Sequence, residues 1–189
     1  MGKYTMISDV GNSVIKLLRE NLCPQPVLNP DSIGLCTPND NGNTVLGLYL
    51  YDIRESDEVR ATEMVNMDMR RQKYPPMYLS LYYMLTAYSN TDIKFRASDD
   101  HRILGKAMQV LNDNELLRHS AVSPERDNNG MDMHIQLLNI SAEEKLKLWN
   151  FPSTPYRLSL FYKISPVEIE SSRMRTVQRV VDIDMVAKE

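Results

Sequence analysis

The chain has few of the residues on which many enzyme sites and phosphate-binding loops depend. It contains 3 histidines, 2 cysteines and 7 glycines in 189 residues. A phosphate cradle is built from glycine-rich backbone, and the sequence carries neither the Walker A pattern nor the dinucleotide-binding glycine pattern. The nucleophile-elbow pattern of many hydrolases is missing as well. These absences argue against a nucleotide-binding protein and against a hydrolase of that type.

The potential metal ligands are few and unsuitably spaced. Cys23, Cys36, His101, His119 and His134 form no Cys-x-x-Cys or His-x-x-x-His pair. We therefore predict no metal site, no bound cofactor and two free thiols. The three histidines are interpreted as partly exposed surface residues.

The run Asp99-Asp100-His101 has the composition of an acid–base site, but a structural interpretation is favoured. Ile103, Leu104, Ala107, Met108 and Leu111 have helical spacing, which predicts a helix from about Asp99 to Asn112. Ser98 or Asp99 would then cap it, and acids at this end complement the helix dipole. We predict no catalytic residues.

The sequence also lacks the features of a secreted, membrane-spanning or nucleic-acid-binding chain. Its start, MGKYTMISDV, has no apolar segment after a basic region, and no stretch approaches the roughly 18 apolar residues of a membrane span. The formal net charge is -3, which gives the chain no general attraction to nucleic acid. We expect synthesis and assembly in the cytoplasm, with neither membrane nor nucleic acid as partner.

What is present is the pattern of one α+β domain over residues 1–189. Helical spacing predicts a first helix from about Ser8 to Asn21, and Ser141 to Glu144 form a capping box that opens a short helix ending near Trp149. Alternating or continuous apolar runs predict strands. They lie at 33–36, 44–53, 78–88, 133–137, 158–164 and about 176–185. We therefore predict a mixed or antiparallel sheet of five or six strands packed with about three helices.

The strand from Thr44 to Ile53 is apolar on both faces. Leu46, Leu48 and Leu50 share one face, whereas Val45, Tyr49, Tyr51 and Ile53 are assigned to the other. A strand of this kind is covered on both sides. The sequence leaves open whether the second cover is another layer of the same chain or a neighbouring subunit.

Two basic groups suggest a surface for a protein partner. The first contains Arg70, Arg71 and Lys73; the second contains Arg173, Arg175 and Arg179. Nucleic-acid binding would need aromatic residues interleaved with them, and only Tyr74 is close by. A solvated charged face remains the alternative. The last predicted strand fits a partner surface best, since it alternates Arg175, Val177, Arg179, Val181 and Ile183 on one face.

Several stretches, taken in order, resemble one family. They are Tyr78–Tyr88, His101–Leu111, Leu146–Trp149 and Pro155–Tyr162, and the first helix and the strand ending Leu50-Tyr51-Asp52-Ile53 also fit. In order and spacing they are similar to the cap, or tail-terminator, proteins of extracellular contractile injection systems, such as the antifeeding-prophage and virulence-cassette particles. The resemblance covers nearly the whole chain.

The resemblance implies a phage tail-terminator-like fold and a structural role rather than an enzymatic one. It implies a homo-hexameric ring that closes the inner tube and sheath at the end distal to the baseplate of a particle that can be released from the cell. Longer relatives continue past this domain, so the chain would correspond to their core. The candidate partner interface comprises Arg173, Arg175, Arg179, Val181, Ile183, Arg70 and Arg71. Two alternatives stay open: another ring or adaptor of the same particle, or an unrecognised small-molecule enzyme.

Overall fold

A six-stranded mixed sheet forms the centre of the structure, a computed structural model that describes residues 4–68, 70–122 and 130–176. The strands are, in chain order, β1 (Ile33–Leu35), β2 (Leu46–Glu55), β3 (Val65–Asn66), β4 (Arg71–Lys73), β5 (Met77–Ala87), β6 (Leu116–Leu117), β7 (Met133–Leu137), β8 (Ser159–Ile169) and β9 (Met174–Thr176). The main sheet has the order β1-β2-β5-β8-β7-β6, and β3-β4-β9 form a second, small sheet. Among the strands of the described residues, β1 and β2 alone pair in parallel, so the sheet is mixed, one of the two predicted forms.

The described residues form four α-helices: α1 (Met6–Leu22), α2 (Ile93–Asp113), α3 (His119–Val122) and α4 (Ala142–Leu148). The three predicted helices correspond to α1, α2 and α4. The capping box of α4 is present, because the Ser141 hydroxyl accepts from the backbone N–H of Glu144 and the Glu144 carboxylate accepts from the backbone N–H of Ser141. Each of these bonds satisfies an N–H that the first helical turn would otherwise leave unpaired.

One face of the main sheet packs against α1 and α2. The buried stripe of α1 includes Val10, Val14 and Leu18, at the four-residue spacing that places side chains on one side of a helix. Alternate residues of the central strand β5, among them Leu81, Tyr83 and Leu85, point toward it and are buried. This face holds the main hydrophobic core.

The other face of the sheet is covered by a layer of the same chain. Tyr49 and Tyr51 of β2 pack beside buried Met84 and Phe161, and α4 and the residues after it lie over them. Trp149 belongs to this cluster, and the edge of its ring meets Phe151 with ring centroids 5.7 Å apart. The prediction that β2 is covered on both sides is confirmed from Leu46 to Tyr51, where the second cover is the segment from α4 to Phe151, whereas Ile53 to Glu55 are exposed.

A β-bulge at Tyr51 corrects the predicted faces of β2. The register passes from Leu50 opposite Tyr83 to Asp52 opposite Tyr82, so Tyr51 is the extra residue. After the bulge, the side chains of β2 alternate between the two faces with a shift of one residue. Ile53 therefore lies opposite Leu81, on the face that the helices cover, and not on the face of Tyr49. The periodicity of the sequence did not reveal this, since a bulge shifts the period without changing residue types.

Strand β8 continues through Pro166 to Ile169, whereas the predicted strand ended at residue 164. Pairing with β5 shifts between Leu79 and Leu81, so Ser165 and Pro166 lie at a second irregularity of the ladder. A bulge tolerates proline, because the missing N–H is not required for pairing there. Beside it, the buried Ser80 hydroxyl donates to the Ser165 hydroxyl at 3.0 Å.

Candidate assembly surfaces

The small sheet brings together the two basic groups that lie about 100 residues apart in the sequence. Strand β4 pairs with β9 so that Arg71 lies opposite Thr176, and Gln72 lies opposite Arg175. Both basic groups thus contribute adjacent strands of one sheet, β4 with an exposed Arg71 and β9 exposed throughout, and we name these two strands with Arg70 and Arg173 the basic ribbon. Of the remaining candidate interface residues, Arg179, Val181 and Ile183 lie outside the described residues.

Local contacts fix the arginines of this ribbon to different degrees. Arg71 pairs with Asp68 at 2.6 Å, and Arg173 lies over the ring of Tyr74 with 4.3 Å between the guanidinium carbon and the ring centroid. The backbone N–H groups of Arg70 and Arg71 both donate to Asp68. The hydrogen bond from the Arg70 N–H is the main cause that lowers the pKa of Asp68, and the Arg71 side chain and N–H lower it further. Asp68 therefore stays ionised.

Two arginines of the ribbon keep their charge available. Arg70 and Arg175 are exposed, and neither forms an ion pair within the described part of the chain. Lys73, by contrast, is largely buried and paired with Glu170. Of the first basic group, Lys73 therefore has a structural role, whereas Arg70 and Arg71 face solvent.

The run Asp99-Asp100-His101 lies inside α2, not at its start, which corrects the predicted cap. The helix begins at Ile93 after Asp92, although Asp92 makes no side-chain capping bond. The sequence concealed this start because the first turns carry no core-facing stripe: all the buried residues of α2 lie between Ile103 and Leu111. Residues 93–102 extend beyond the core, and we name them the α2 overhang.

The two aspartates of this run have separate structural contacts. Asp99 pairs with Arg102 at 3.5 Å on the helix surface. Asp100 accepts from the backbone N–H of Ser89 at 2.9 Å and lies 3.7 Å from the Arg157 guanidinium. They line different clefts, Asp99 one of about 510 Å³ and Asp100, with His101, one of about 350 Å³. Their side chains therefore do not converge on one reacting position.

Two further clefts among the described residues offer little chemistry. An apolar cleft of about 550 Å³ lies beside β1, lined by residues that include Tyr4, Ile7 and Leu35. A more polar one of about 320 Å³ contains His134 and Lys163, but Lys163 is paired with Glu58 at 2.5 Å. Within residues 4–68, 70–122 and 130–176, no three His, Cys, Asp or Glu side chains are placed to hold a metal ion.

The cysteines and histidines are placed largely as predicted, with one correction. Cys23 and Cys36 are free thiols, and burial raises the pKa of both. His101 and His134 are exposed, whereas His119 is buried. Its backbone N–H donates to Asp132 at 2.9 Å, which anchors α3 beside β7. No helix in the described ranges is both long and apolar enough to cross a bilayer.

Comparison with known proteins identifies a family and a fold. The family described as the Pvc16 N-terminal domain matches residues 9–183. A search of curated proteins finds no match. Among solved structures, the chain is similar to the PVC sheath/tube terminator of an extracellular contractile injection system in its extended state. That alignment has a TM-score of 0.66 and 18% identity over 97% of this chain and 63% of the other.

A second similar structure is the anti-feeding prophage cap, described as a tube-terminating cap. It aligns with a TM-score of 0.64 and 17% identity over 95% of this chain and 61% of the other. The chain thus spans less than two thirds of the length of either structure. At these identities the structural likeness establishes the fold, and the predicted α+β terminator-like architecture is confirmed.

Proposed function

The chain belongs to the Pvc16 N-terminal domain family, and from that premise we propose that it is the cap subunit of a contractile, phage-tail-like injection particle. In this role it terminates the inner tube and sheath at the end distal to the baseplate. The observation that carries the proposal is the likeness to a sheath/tube terminator along 97% of the chain. The proposed terminator domain comprises residues 1–189.

The physical requirements of a cap agree with the structure. Rings of tube and sheath subunits stack through heterologous contacts, which do not close and so grow indefinitely. A terminator must match one face of the last ring without presenting a copy of that face on its other side. Such a protein needs several distinct exposed surfaces rather than one deep cleft, and the basic ribbon and the α2 overhang are two surfaces of this kind.

In this role, six copies of the chain form a ring, and the sheath and inner-tube proteins are its partners. The proposal assigns the chain a structural role rather than an enzymatic one, since both similar structures are described as terminators or caps. Assembly takes place in the cytoplasm, and the finished particle can leave the cell. Neither a cofactor nor nucleic acid has a part in this role.

Within this role, we assign the basic ribbon to the sheath contact. The candidate residues are Arg70, Arg71, Arg173 and Arg175, together with Arg179, Val181 and Ile183 beyond the described residues. Support comes from the pairing of β4 with β9, which concentrates exposed guanidinium groups on one ribbon, two of them without an ion pair among the described residues. Guanidinium groups are suited to bidentate pairing with carboxylates of a protein partner.

Deleting the gene in its host tests the proposed function. We expect tubes of irregular length, and restoring the gene should return them to uniform length. Gold-labelled antibody against the chain should mark the particle end opposite the baseplate. Label at the baseplate would instead identify an adaptor or ring component at that end. Normal particles without the chain would contradict the cap role.

A further inference from the structure

The helix layer is displaced along the main sheet, so that it extends past one end and leaves the other bare. Residues 93–102 contribute no buried side chain, although they form about half of α2. At 1.5 Å per residue, this overhang is roughly 15 Å long. Its inner end is held by the contacts of Asp100 with Ser89 and Arg157. The helix runs back from the end of β5 at which Ala87 lies, so the overhang marks that end.

The overhang carries large apolar side chains in solvent. Ile93 is 81% exposed and Phe95 is 62% exposed. Aromatic residues that lie in solvent on a structured helix are typical anchors of protein interfaces, because their burial removes a large apolar area from water. The overhang therefore has the composition of a surface that a partner covers.

The opposite end of the same sheet face is not covered by the helices of the described residues. Ile53, Glu55 and Met77 lie on the face that α1 and α2 cover elsewhere, since Ile53 is opposite Leu81 and Glu55 is opposite Leu79. Met77 is 50% exposed and Ile53 is 43% exposed. We name Ile53, Glu55 and Met77 the bare sheet end.

These two surfaces cannot meet within one copy of the chain. Strand β5 runs from Met77 to Ala87, and eleven residues of strand separate its ends by about 33 Å. A contact between the overhang and the bare sheet end must therefore join two molecules.

The charges of the two surfaces are complementary. Lys94 is exposed on the overhang, whereas Arg96 is partly exposed and its Nε is buried. Neither has an ion-pair partner among residues 4–68, 70–122 and 130–176. Of the acids beside them, Asp99 and Asp100 are paired with arginines, whereas Asp92, just before the helix, is exposed. Lys94 and Arg96 therefore outnumber the unpaired acid, and the overhang carries excess positive charge. Glu55 and its neighbour Asp57 are exposed at the bare sheet end and likewise lack a described ion-pair partner.

We propose that the α2 overhang of one copy docks on the bare sheet end of a second copy. The helix then supplies to the next subunit the cover that its own helices do not provide. The two surfaces are different, so the contact is heterologous, and repeating it produces a ring when the rotation closes. The closure into six copies rests on the proposed cap function, whereas the contact itself rests on the two surfaces.

Disulfide cross-linking of the purified chain tests the contact. In a background with Cys23→Ser and Cys36→Ser, one protein carries Phe95→Cys and another carries Met77→Cys. A disulfide needs two Cα atoms within about 7 Å. We expect mixing the two proteins under mild oxidation to give linked dimers, whereas neither protein alone gives them. The double variant should give a series of linked oligomers on a non-reducing gel.

Met108→Cys is the matched control for Phe95→Cys. Met108 is exposed on the same helix but lies about 20 Å from Phe95 along the axis. It should not link to Met77→Cys. Dimers from Phe95→Cys alone, equal linking from Met108→Cys, or a chain that stays monomeric by light scattering with no linked product would each overturn the proposal.

The cross-linking result and the cap role can fail independently of each other. If the chain joins particle ends but Phe95→Cys and Met77→Cys do not link, the subunit contact is wrong and the cap role stands. If they link but the chain does not join particle ends, the contact is supported and the cap role is contradicted.

Discussion

Asp100 and Arg157 join α2 to the segment that precedes β8, with 3.7 Å between carboxylate and guanidinium. The same carboxylate accepts from the backbone N–H of Ser89, which follows β5. Arg157 also lies over the ring of Tyr88, with 5.4 Å to its centroid. The Asp100 side chain thus holds the inner end of the α2 overhang against the segments that follow β5 and precede β8.

Replacing Asp100 should destabilise the domain. Asp100→Ala leaves the Ser89 N–H and the Arg157 guanidinium without their acceptor, so we expect the free energy of unfolding to fall by about 1–3 kcal/mol. Urea denaturation followed by circular dichroism measures it. Asp99→Ala is the matched control, since its ion pair with Arg102 lies on the surface and such pairs contribute about 0–1 kcal/mol. Equal losses for the two variants would contradict the assigned role of Asp100.

The second layer over β2 should be a substantial part of the core. Trp149 is 7% exposed and packs against Phe151 and Tyr156, with ring centroids 5.7 Å apart in both pairs. Trp149→Ala should lower the free energy of unfolding by about 3–5 kcal/mol, the usual cost of removing a large buried aromatic residue. Leu146→Ala in the adjacent α4 should cost far less, because Leu146 is largely exposed. A small effect of Trp149→Ala on the denaturation midpoint would show that the layer is not packed in solution.

The hydroxyl of Tyr162 should contribute nothing to stability. It is buried without a hydrogen-bond partner in the described part of the chain, and burial raises the pKa of Tyr162 to about 12. Tyr162→Phe removes the cost of desolvating this hydroxyl, so we expect stability unchanged or increased by up to about 1 kcal/mol. Tyr156→Phe, at a partly exposed ring, serves as the control. A loss of stability specific to Tyr162→Phe would reveal a partner for the hydroxyl that the described contacts lack.

The basic ribbon should determine how the cap joins the sheath. The double variant Arg71→Glu with Arg175→Glu reverses two exposed charges on adjacent strands, and we expect weaker co-sedimentation with sheath-bearing particles. The loss should be larger at low salt, since exposed charges are screened at high ionic strength. Lys16→Glu with Lys147→Glu makes the same change in net charge on α1 and α4 and should have little effect. Equal binding by the two double variants would place the sheath contact elsewhere.

Much of this architecture could be predicted from the sequence because it follows from local patterns. The stripe of Val10, Val14 and Leu18 predicted α1, alternation predicted β7 at its observed bounds, and the capping box predicted the start of α4. Each of these signals depends on side chains that meet the core or their own helix terminus.

The surfaces could be predicted only in part. The start of α2 was placed six residues late because the overhang does not touch the core and so lacks an apolar stripe. The predicted face of Ile53 was wrong because the residue types do not indicate the bulge at Tyr51. Strands β3 and β4 are too short to show a period. The two basic groups were predicted separately, but their convergence depends on a pairing of distant strands that local patterns do not encode.

A cryo-EM reconstruction of the particle end opposite the baseplate tests the central claim most directly. The cap role predicts density for this chain there, as a single sixfold ring on the last tube and sheath rings. Density for another protein at that end, or a ring of this chain with a symmetry other than sixfold, would contradict it.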